Sequence, residues 1–184
     1  QTSDTSQPLT NILSLAERGN AAAQAELGAH YLSDTSAVSN PTEAAGWFLK
    51  AANQGDALSQ VTIADMYLSG EGVAQDAAEA ARWYRRAAEQ GEASGQYGLG
   101  YLYGVGQGVN LDEISSVRWM RLAADQDETR AQYAMALLYA SGQGVPQDVA
   151  EAVRWYRLAA EQGHARSQAA LAALYLNGHG VEPD

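Results

Sequence analysis

A repeat of 36 residues runs through most of this chain of 184 residues. Tryptophan marks the repeat four times and tyrosine five times, and both residue types keep the same spacing. The tryptophans are Trp47, Trp83, Trp119 and Trp155, and the tyrosines are Tyr31, Tyr67, Tyr103, Tyr139 and Tyr175. A period of roughly 20 to 50 residues is typical of arrays in which each unit buries its apolar face against its neighbours. The repeat therefore predicts a stack of similar units.

Each repeat contains two stretches with the apolar spacing of an α-helix. In the second repeat, Ala57, Ile63 and Tyr67 form the first stripe, and Ala80 and Tyr84 form the second. A glutamine recurs in the first stripe, at Gln24, Gln60, Gln96, Gln132 and Gln168. A glycine pair separates the stripes, at Gly70/Gly72, Gly106/Gly108, Gly142/Gly144 and Gly178/Gly180. The pattern predicts a helix A and a helix B in each repeat, joined by a glycine turn.

The predicted fold is all-α. Helices A are expected over 21–32, 57–68, 93–104, 129–140 and 165–176, and helices B over 41–54, 77–90, 113–126 and 149–162. A further B-type helix is expected over 8–18, after a flexible segment of residues 1–7. Repeats at 21–56, 57–92, 93–128, 129–164 and 165–184, the last one partial, would stack into one right-handed α/α superhelical solenoid over 8–184.

The helix ends are also marked in the sequence. Three helices B begin with the spacing of a capping box, in which a cap side chain accepts an amide and a Glu reaches back. The pairs are Asn40 with Glu43, Asp76 with Glu79 and Asp148 with Glu151. Gly55, Gly91 and Gly163 follow helices B, where glycine can adopt the left-handed conformation that closes a last turn. These residues are therefore interpreted as structural.

Composition excludes several classes of function. The formal net charge of -11 opposes binding to nucleic acid, since phosphates would be repelled. No apolar run approaches the roughly 20 residues that cross a bilayer, and without cysteine there is no disulfide or zinc–thiolate site. His30, His164 and His179 lie in different repeats without metal-ligand spacing, so no cofactor, metal or catalytic residue is predicted. The polar start Gln1 to Gln7 is typical of a mature exported protein, so we expect a periplasmic or secreted protein, with the cytoplasm left open.

The second repeat reads AxxQxxIAxxYxxGxGVxxD from Ala57 to Asp76 and AxxWYxxAAxQG from Ala80 to Gly91. This pattern resembles the Sel1-like repeat, a relative of the tetratricopeptide repeat. The resemblance implies an adaptor for protein–protein interactions in bacterial signalling, secretion or envelope processes. The chain departs from the pattern at residues 34–37, where GxGV is missing. It departs again at Ser115, Met120 and Asp127, which replace the capping Glu, an aromatic residue and a Gly.

The resemblance also implies which positions of helix A face a concave groove. They are Leu58, Val61 and Asp65 in the second repeat, Ser94, Tyr97 and Tyr101 in the third, Arg130, Tyr133 and Leu137 in the fourth, and Arg166, Ala169 and Ala173 in the fifth. Tyrosine and arginine are the residue types most enriched where partners are gripped. The groove is therefore the candidate binding site for a protein or a peptide.

Two interpretations of Arg130 and Arg166 remain open. They could bind a carboxylate or an acidic peptide by bidentate hydrogen bonds, or they could pair with Asp65 or a nearby Glu of the chain itself. The leading function is an adaptor or regulatory scaffold, and a structural module of a larger envelope protein is the alternative. A protein acting on peptidoglycan or a β-lactam is disfavoured, because no nucleophile and base occur in register.

Overall fold

A computed structural model describes residues 6–33 and 39–176 of the chain. These residues form ten α-helices and no strand. The helices are α1 (Ser6–Glu17), α2 (Ala21–Leu32), α3 (Pro41–Asn53), α4 (Ala57–Ser69), α5 (Ala77–Glu89), α6 (Ala93–Val105), α7 (Glu113–Ala124), α8 (Thr129–Ser141), α9 (Val149–Glu161) and α10 (Ala165–Leu176). None of the ten has the length and hydropathy of a membrane span.

The predicted helices are confirmed with small shifts at their ends. All nine helices A and B end within two residues of their expected bounds, and α2 and α10 match at both ends. The early helix α1 begins at Ser6, so Ser6 and Gln7 are helical although the sequence placed them in the flexible segment. The unusual turn at 34–37 and the last residues, 177–184, lie outside the described residues.

The chain forms two compact units, one ending at Gln90 and the other beginning at Gly91. The first unit contains α1 to α5 and the second contains α6 to α10. In each unit every helix packs on the helix that follows it. Each A helix of the second to fourth repeats therefore shares a core with the B helix of its own repeat.

Small residues bring helices A and B close together. Ala64 and Ala136 are fully buried, and a Cβ built on Gly100 would lie only 3.1 Å from the Cγ of Met120. Ala172, at the same place in α10, is exposed. The tryptophans complete the core: three are buried and Trp119 is half-buried, as their register with the core alanines indicates.

The turn from helix A to helix B is held by backbone hydrogen bonds that the sequence did not show. The amide of the residue that caps helix B donates to the carbonyl of the repeat tyrosine, as between Asp76 and Tyr67 at 2.9 Å. Because this amide is already paired, only one of the two hydrogen bonds of the predicted capping box forms. Asp76 accepts the amide of Glu79 at 3.1 Å, but the carboxylate of Glu79 binds Arg82 instead of reaching back.

The recurring glutamine is a buried connector of three helices in the first, second and fourth repeats, whereas Gln168 in the fifth is exposed. Gln60 is 3% exposed and donates to the carbonyl of Ala52, in the last turn of α3, at 3.0 Å. The side-chain oxygen of Gln60 accepts a hydrogen bond from the side-chain amide of Gln90, just after α5, at 2.7 Å. In the second unit Gln132 is equally buried and accepts from Gln162 at 2.9 Å. Gln60 and Gln132 thereby connect their helix A to the helix B before it and to the helix B of their own repeat.

We expect the substitution Gln60→Leu to lower the free energy of unfolding by about 1–3 kcal/mol, because it removes two side-chain hydrogen bonds at a buried position. The carbonyl of Ala52 keeps the backbone amide of Gly55, and the exposed side chain of Gln90 keeps the carbonyl of Arg86. The exposed Gln75 also donates to a helix carbonyl, that of Leu68. Gln75→Leu is therefore the control, with an expected cost below about 1 kcal/mol. Urea unfolding checks both, and equal costs would contradict the connector role.

Alanine substitutions at three glycines distinguish the cost of backbone strain from the cost of steric contact. Gly46 lies inside α3 with open space around it, so Gly46→Ala should stabilise the chain by about 0.5–1 kcal/mol. Gly55 also has open space but a φ of +97°, so alanine there should cost about 1–2 kcal/mol. A Cβ on Gly72 would lie 2.1 Å from the carbonyl oxygen of Pro41, and its φ is +71°. Gly72→Ala should therefore cost the most, at least about 3 kcal/mol. Thermal unfolding of the three variants tests this order.

Candidate partner-binding surface

In the first unit, the candidate positions lie on α4. Leu58 is 64% exposed, Val61 is half-buried and Asp65 is exposed. The carboxylate of Asp65 accepts a hydrogen bond from the hydroxyl of Tyr84 on α5. Asp65 is therefore held by a tyrosine of its own repeat.

In the second unit, Arg130 on α8 lies against α6. Its guanidinium stands over the ring of Tyr97, 4.6 Å from the ring centroid, and its Nε donates to Glu128 at 2.8 Å. Glu128 also accepts the hydroxyl of Ser94 at 3.3 Å. We call Ser94, Tyr97, Glu128 and Arg130 the Arg130 cluster. It joins the first turns of α6 and α8.

The positive charge of Arg130 and the negative charge of Glu128 pair with each other inside the Arg130 cluster. Burial raises the pKa of the Tyr97 hydroxyl, although the positive charge of Arg130 opposes that rise. Burial also acts to raise the pKa of the Glu128 carboxyl, but the hydrogen bonds and charge of Arg130 outweigh it and the pKa is lowered. Glu128 consequently stays ionised and paired. A carboxylate of a partner would have to compete with Glu128 for Arg130.

Tyr133 extends the aromatic surface on α8. Its ring centroid lies 4.7 Å from that of His164, the residue before α10, and 5.9 Å from that of Tyr156 on α9. The ring is half-buried. Burial raises the pKa of the Tyr156 hydroxyl, and the electrostatic effect of Tyr133 adds to that rise. His164 itself caps α10, with its Nδ1 3.3 Å from the amide nitrogen of Ser167. Tyr133 therefore combines a packing role with a partly open face.

An apolar groove of about 320 Å³ opens between α6, α7 and α8. Tyr101 and Leu137, two of the candidate residues, form part of its wall and are 46% and 44% exposed. The other lining residues are Gly104, Val105, Glu113, Ser116, Met120, Ala134, Leu138, Ser141 and Gln143. We call this cavity the Met120 groove. It lies one helical turn beyond Tyr97 along α6 and one turn beyond Tyr133 along α8.

Met120 differs from the residues at its position in the other repeats. Phe48, Tyr84 and Tyr156 hold the same place in α3, α5 and α9 and are buried aromatic residues. The position of Asp65, which receives the hydroxyl of Tyr84 in the second repeat, is taken by Tyr101 in the third. The groove is therefore lined by an unbranched, flexible side chain where the other repeats have a ring.

The candidate residues of α10 are exposed but less closely connected. Arg166, Ala169 and Ala173 all lie at the surface. Among the described residues, none forms an ion pair or a ring contact with Arg166. The structure thus joins Tyr97 to Arg130 and Tyr101 to Leu137, and it leaves Arg166 apart from both contacts.

Several residues of this surface were missed in the sequence. Glu128 was not singled out in the sequence, because its pairing with Arg130 depends on how the first turns of two helices meet. Glu113 and Gln143, which share a hydrogen bond of 3.1 Å at the rim of the groove, are far apart in sequence. Met120 did carry a signal, because it breaks the aromatic column of the helices B. A break in a repeat pattern is therefore a guide to a local cavity.

No arrangement of catalytic or metal-binding groups stands out in the described part of the chain. There, no three His, Asp or Glu side chains are grouped so that they could hold a metal ion. His30 is half-buried and meets the ring of Tyr31 edge-on at 6.0 Å, while His164 serves as a cap. His179 lies outside the described residues. The chemistry of the surface is that of apolar, aromatic and charge-assisted contacts.

The chain is similar to known repeat proteins along nearly its whole length. The family model described as Sel1 repeat matches residues 21–56, 57–92, 93–128, 129–164 and 165–184. The structure of c5321, a protective antigen present in uropathogenic Escherichia coli strains, is 41% identical with a TM-score of 0.89, and the match covers 95% of this chain. This chain spans only 37% of the E. coli protein. A Sel1 repeat protein from Oxalobacter formigenes is 31% identical, with a TM-score of 0.84 and coverage of 96% and 78% of the two chains.

Cysteine rich protein B of Helicobacter pylori shares the fold alone, at 16% identity and a TM-score of 0.58 over 76% of this chain and 100% of that one. Among curated proteins there is no sequence match. The five matched repeats, the two similar structures and the ten helices of the described residues confirm the predicted fold class, an all-α array of helix pairs. Proteins of this kind generally serve as modules for protein interaction and are typically not enzymes. The chain belongs to the Sel1-repeat family.

Proposed function

We propose that this chain is an adaptor or regulatory scaffold that holds a peptide or a segment of a folded protein on α6 and α8. The observation that carries the proposal is the group of Tyr97, Tyr101, Arg130, Tyr133 and Leu137 around an open apolar groove. We call these five residues the A face of the second unit. Tyrosine and arginine dominate binding hot spots because they combine a large contact area with hydrogen-bonding groups.

The structure of the A face supports a protein partner more than a small molecule. Its apolar wall is open, with Val105 49% exposed beside Tyr101 and Leu137. Small-molecule sites usually bury most of their ligand in a closed concavity, whereas a partner segment can cover an open groove with its own backbone and side chains. The Arg130 cluster next to the groove supplies polar contacts at one side of this apolar patch.

We also propose that the protein acts in a bacterial envelope, secretion or signalling process, in the periplasm or outside the cell. The similar structures come from bacterial proteins, and the E. coli relative is a protective antigen. Cell fractionation of the source organism with an antibody against this chain tests the location. Recovery in the cytoplasm alone would contradict it.

Affinity capture with a variant of the A face tests the adaptor function. We expect the triple substitution Tyr101→Ala, Arg130→Ala and Leu137→Ala to lower recovery of the bound protein by at least about tenfold, because truncated hot spots each cost around 2 kcal/mol. All three side chains are exposed, so the fold should be retained. Mass spectrometry of the captured proteins gives the measurement.

The matched control carries Ile114→Ala, Arg118→Ala and Leu122→Ala on α7. These are again two apolar residues and one arginine, all exposed and none of them in the wall of the groove. The control should capture the same partner as the unchanged chain. Equal capture by the A-face variant would contradict the proposed function and would favour a structural module that makes its contacts elsewhere.

A further inference from the structure

We propose that the Met120 groove is the docking site for one bulky apolar side chain of a cationic peptide segment, with a Lys or Arg next to that side chain bound by Glu113. The inference rests on the proposed function and specifies the chemistry of the partner. It concerns one subsite of the A face, between α6, α7 and α8.

The size and lining of the groove define the first part of the occupant. A volume of about 320 Å³ lies at the lower end of the range of roughly 300–1,000 Å³ for small-molecule pockets, so it suits one or two side chains. Met120, Ala134 and Leu138 line it together with the exposed Tyr101 and Leu137. Methionine is common at surfaces that accept side chains of different shapes, because its unbranched chain adapts to them. Leucine, methionine and phenylalanine fit this environment.

The backbone of α6 makes the groove possible. A Cβ on Gly104 would come within 2.8 Å of the hydroxyl of Ser116, and a Cβ on Gly100 within 3.1 Å of the backbone nitrogen of Met120. Both glycines let α6 approach α7 closely, so these two helices pack directly against each other at the base of the groove. In the fourth repeat the corresponding cavity has Val149 in place of Glu113 and Tyr156 in place of Met120. Of these two repeats, only the third has a carboxylate in the wall of its apolar groove.

Charge defines the second part of the occupant. Glu113 is the one charged residue in the described lining of the groove, and its hydrogen-bond partner Gln143 is a neutral amide. Next to Glu113 in sequence, the hydrogen bonds from Ser115 lower the pKa of the Asp112 carboxyl, with burial a weaker opposing effect. Arg130, the cation of the A face, is already paired with Glu128. The groove therefore favours a cation at its rim, in keeping with the net charge of -11.

The test uses the three methionines of the chain as reporters. In protein labelled with ¹³C in the methionine methyl groups, Met120 lines the groove, Met135 is buried in the same core cluster as Met120, and Met66 is buried in α4 of the first unit. The probe is an N-acetylated, C-amidated peptide, Gly-Ser-Lys-Leu-Lys-Ser-Gly, at up to millimolar concentration. We expect a saturable shift of the Met120 methyl signal and a constant Met66 signal.

Matched probes separate the apolar and the ionic contributions. Alanine in place of the central leucine should weaken binding by about tenfold, because it removes most of the buried apolar surface. Glutamate in place of both lysines should weaken it by about two- to fivefold at low salt, and added salt should reduce that difference. Glu113→Gln should have the same effect on the lysine peptide, while Glu151→Gln, at an ion pair of α9, should have none.

The variant Met120→Tyr tests the groove without the methyl reporter. It restores an aromatic residue such as Phe48, Tyr84 and Tyr156 provide at this position, and Phe48 packs against Gly28, the counterpart of Gly100. Stability should be unchanged or higher, and calorimetry should show binding of the lysine–leucine peptide weakened by at least about tenfold.

Absence of a saturable Met120 shift, or undiminished binding to Met120→Tyr, would overturn the proposal. Equal binding of the glutamate peptide would overturn the cationic assignment, and self-association that Met120→Tyr abolishes would assign the groove to a second copy of the chain. The adaptor function is judged separately. If the A-face variant loses its captured partner while no lysine–leucine peptide binds, the adaptor function stands and the groove proposal fails.

Discussion

In the first, second and fourth repeats a buried glutamine holds helix A to two helices B, and the rest of the architecture depends on this contact. The last carbonyl groups of a helix have no partner within it, so burying them requires donors from elsewhere. Gln60 and Gln132 supply a side-chain donor to Ala52 and Ala124 beside the backbone amides of the following turn, and each uses its oxygen to accept a second glutamine. The amide therefore fixes the position of helix A along the stack as well as its rotation, because only one rotation places this side chain inside.

That rotation decides which side of helix A is left for function. With Gln60, Ile63 and Ala64 turned inwards, Leu58 and Asp65 must face outwards on α4, and the same holds on α6 and α8. The inward residues hardly vary between repeats, whereas the outward ones change from leucine and aspartate to tyrosine and arginine. A repeat fold thus keeps one side of each helix for stability and presents different chemistry on the other.

Most of the fold could be predicted from the sequence, because period, helical spacing and glycine punctuation all reflect contacts within one or two repeats. The bounds of α2 to α10 were accurate for this reason. The capping boxes were only half right, since the backbone amide of Asp76 is satisfied by the carbonyl of Tyr67, a contact that leaves no trace in residue types. The role of Asp127 was equally hidden in the sequence. It adopts a φ of +61° where the other repeats have glycine, and its carboxylate accepts a hydrogen bond from the side-chain amide of Gln132.

The candidate surface was harder to predict than the fold, because its properties depend on departures from the repeat. The sequence selected the candidate face of α6 and α8, but it could not show that Glu128 would pair with Arg130 or that Tyr101 and Leu137 would border a groove. A residue that follows the repeat is explained by packing, so Met120 requires another explanation, because its counterparts have an aromatic ring. Glu113 stands at a position that differs in each repeat, and it adds a carboxylate beside the space left by that ring. In a fold that specifies most positions through neighbouring repeats, specificity must come from residues of these two kinds. The proposed recognition of a cationic peptide segment would explain why both occur at one cavity.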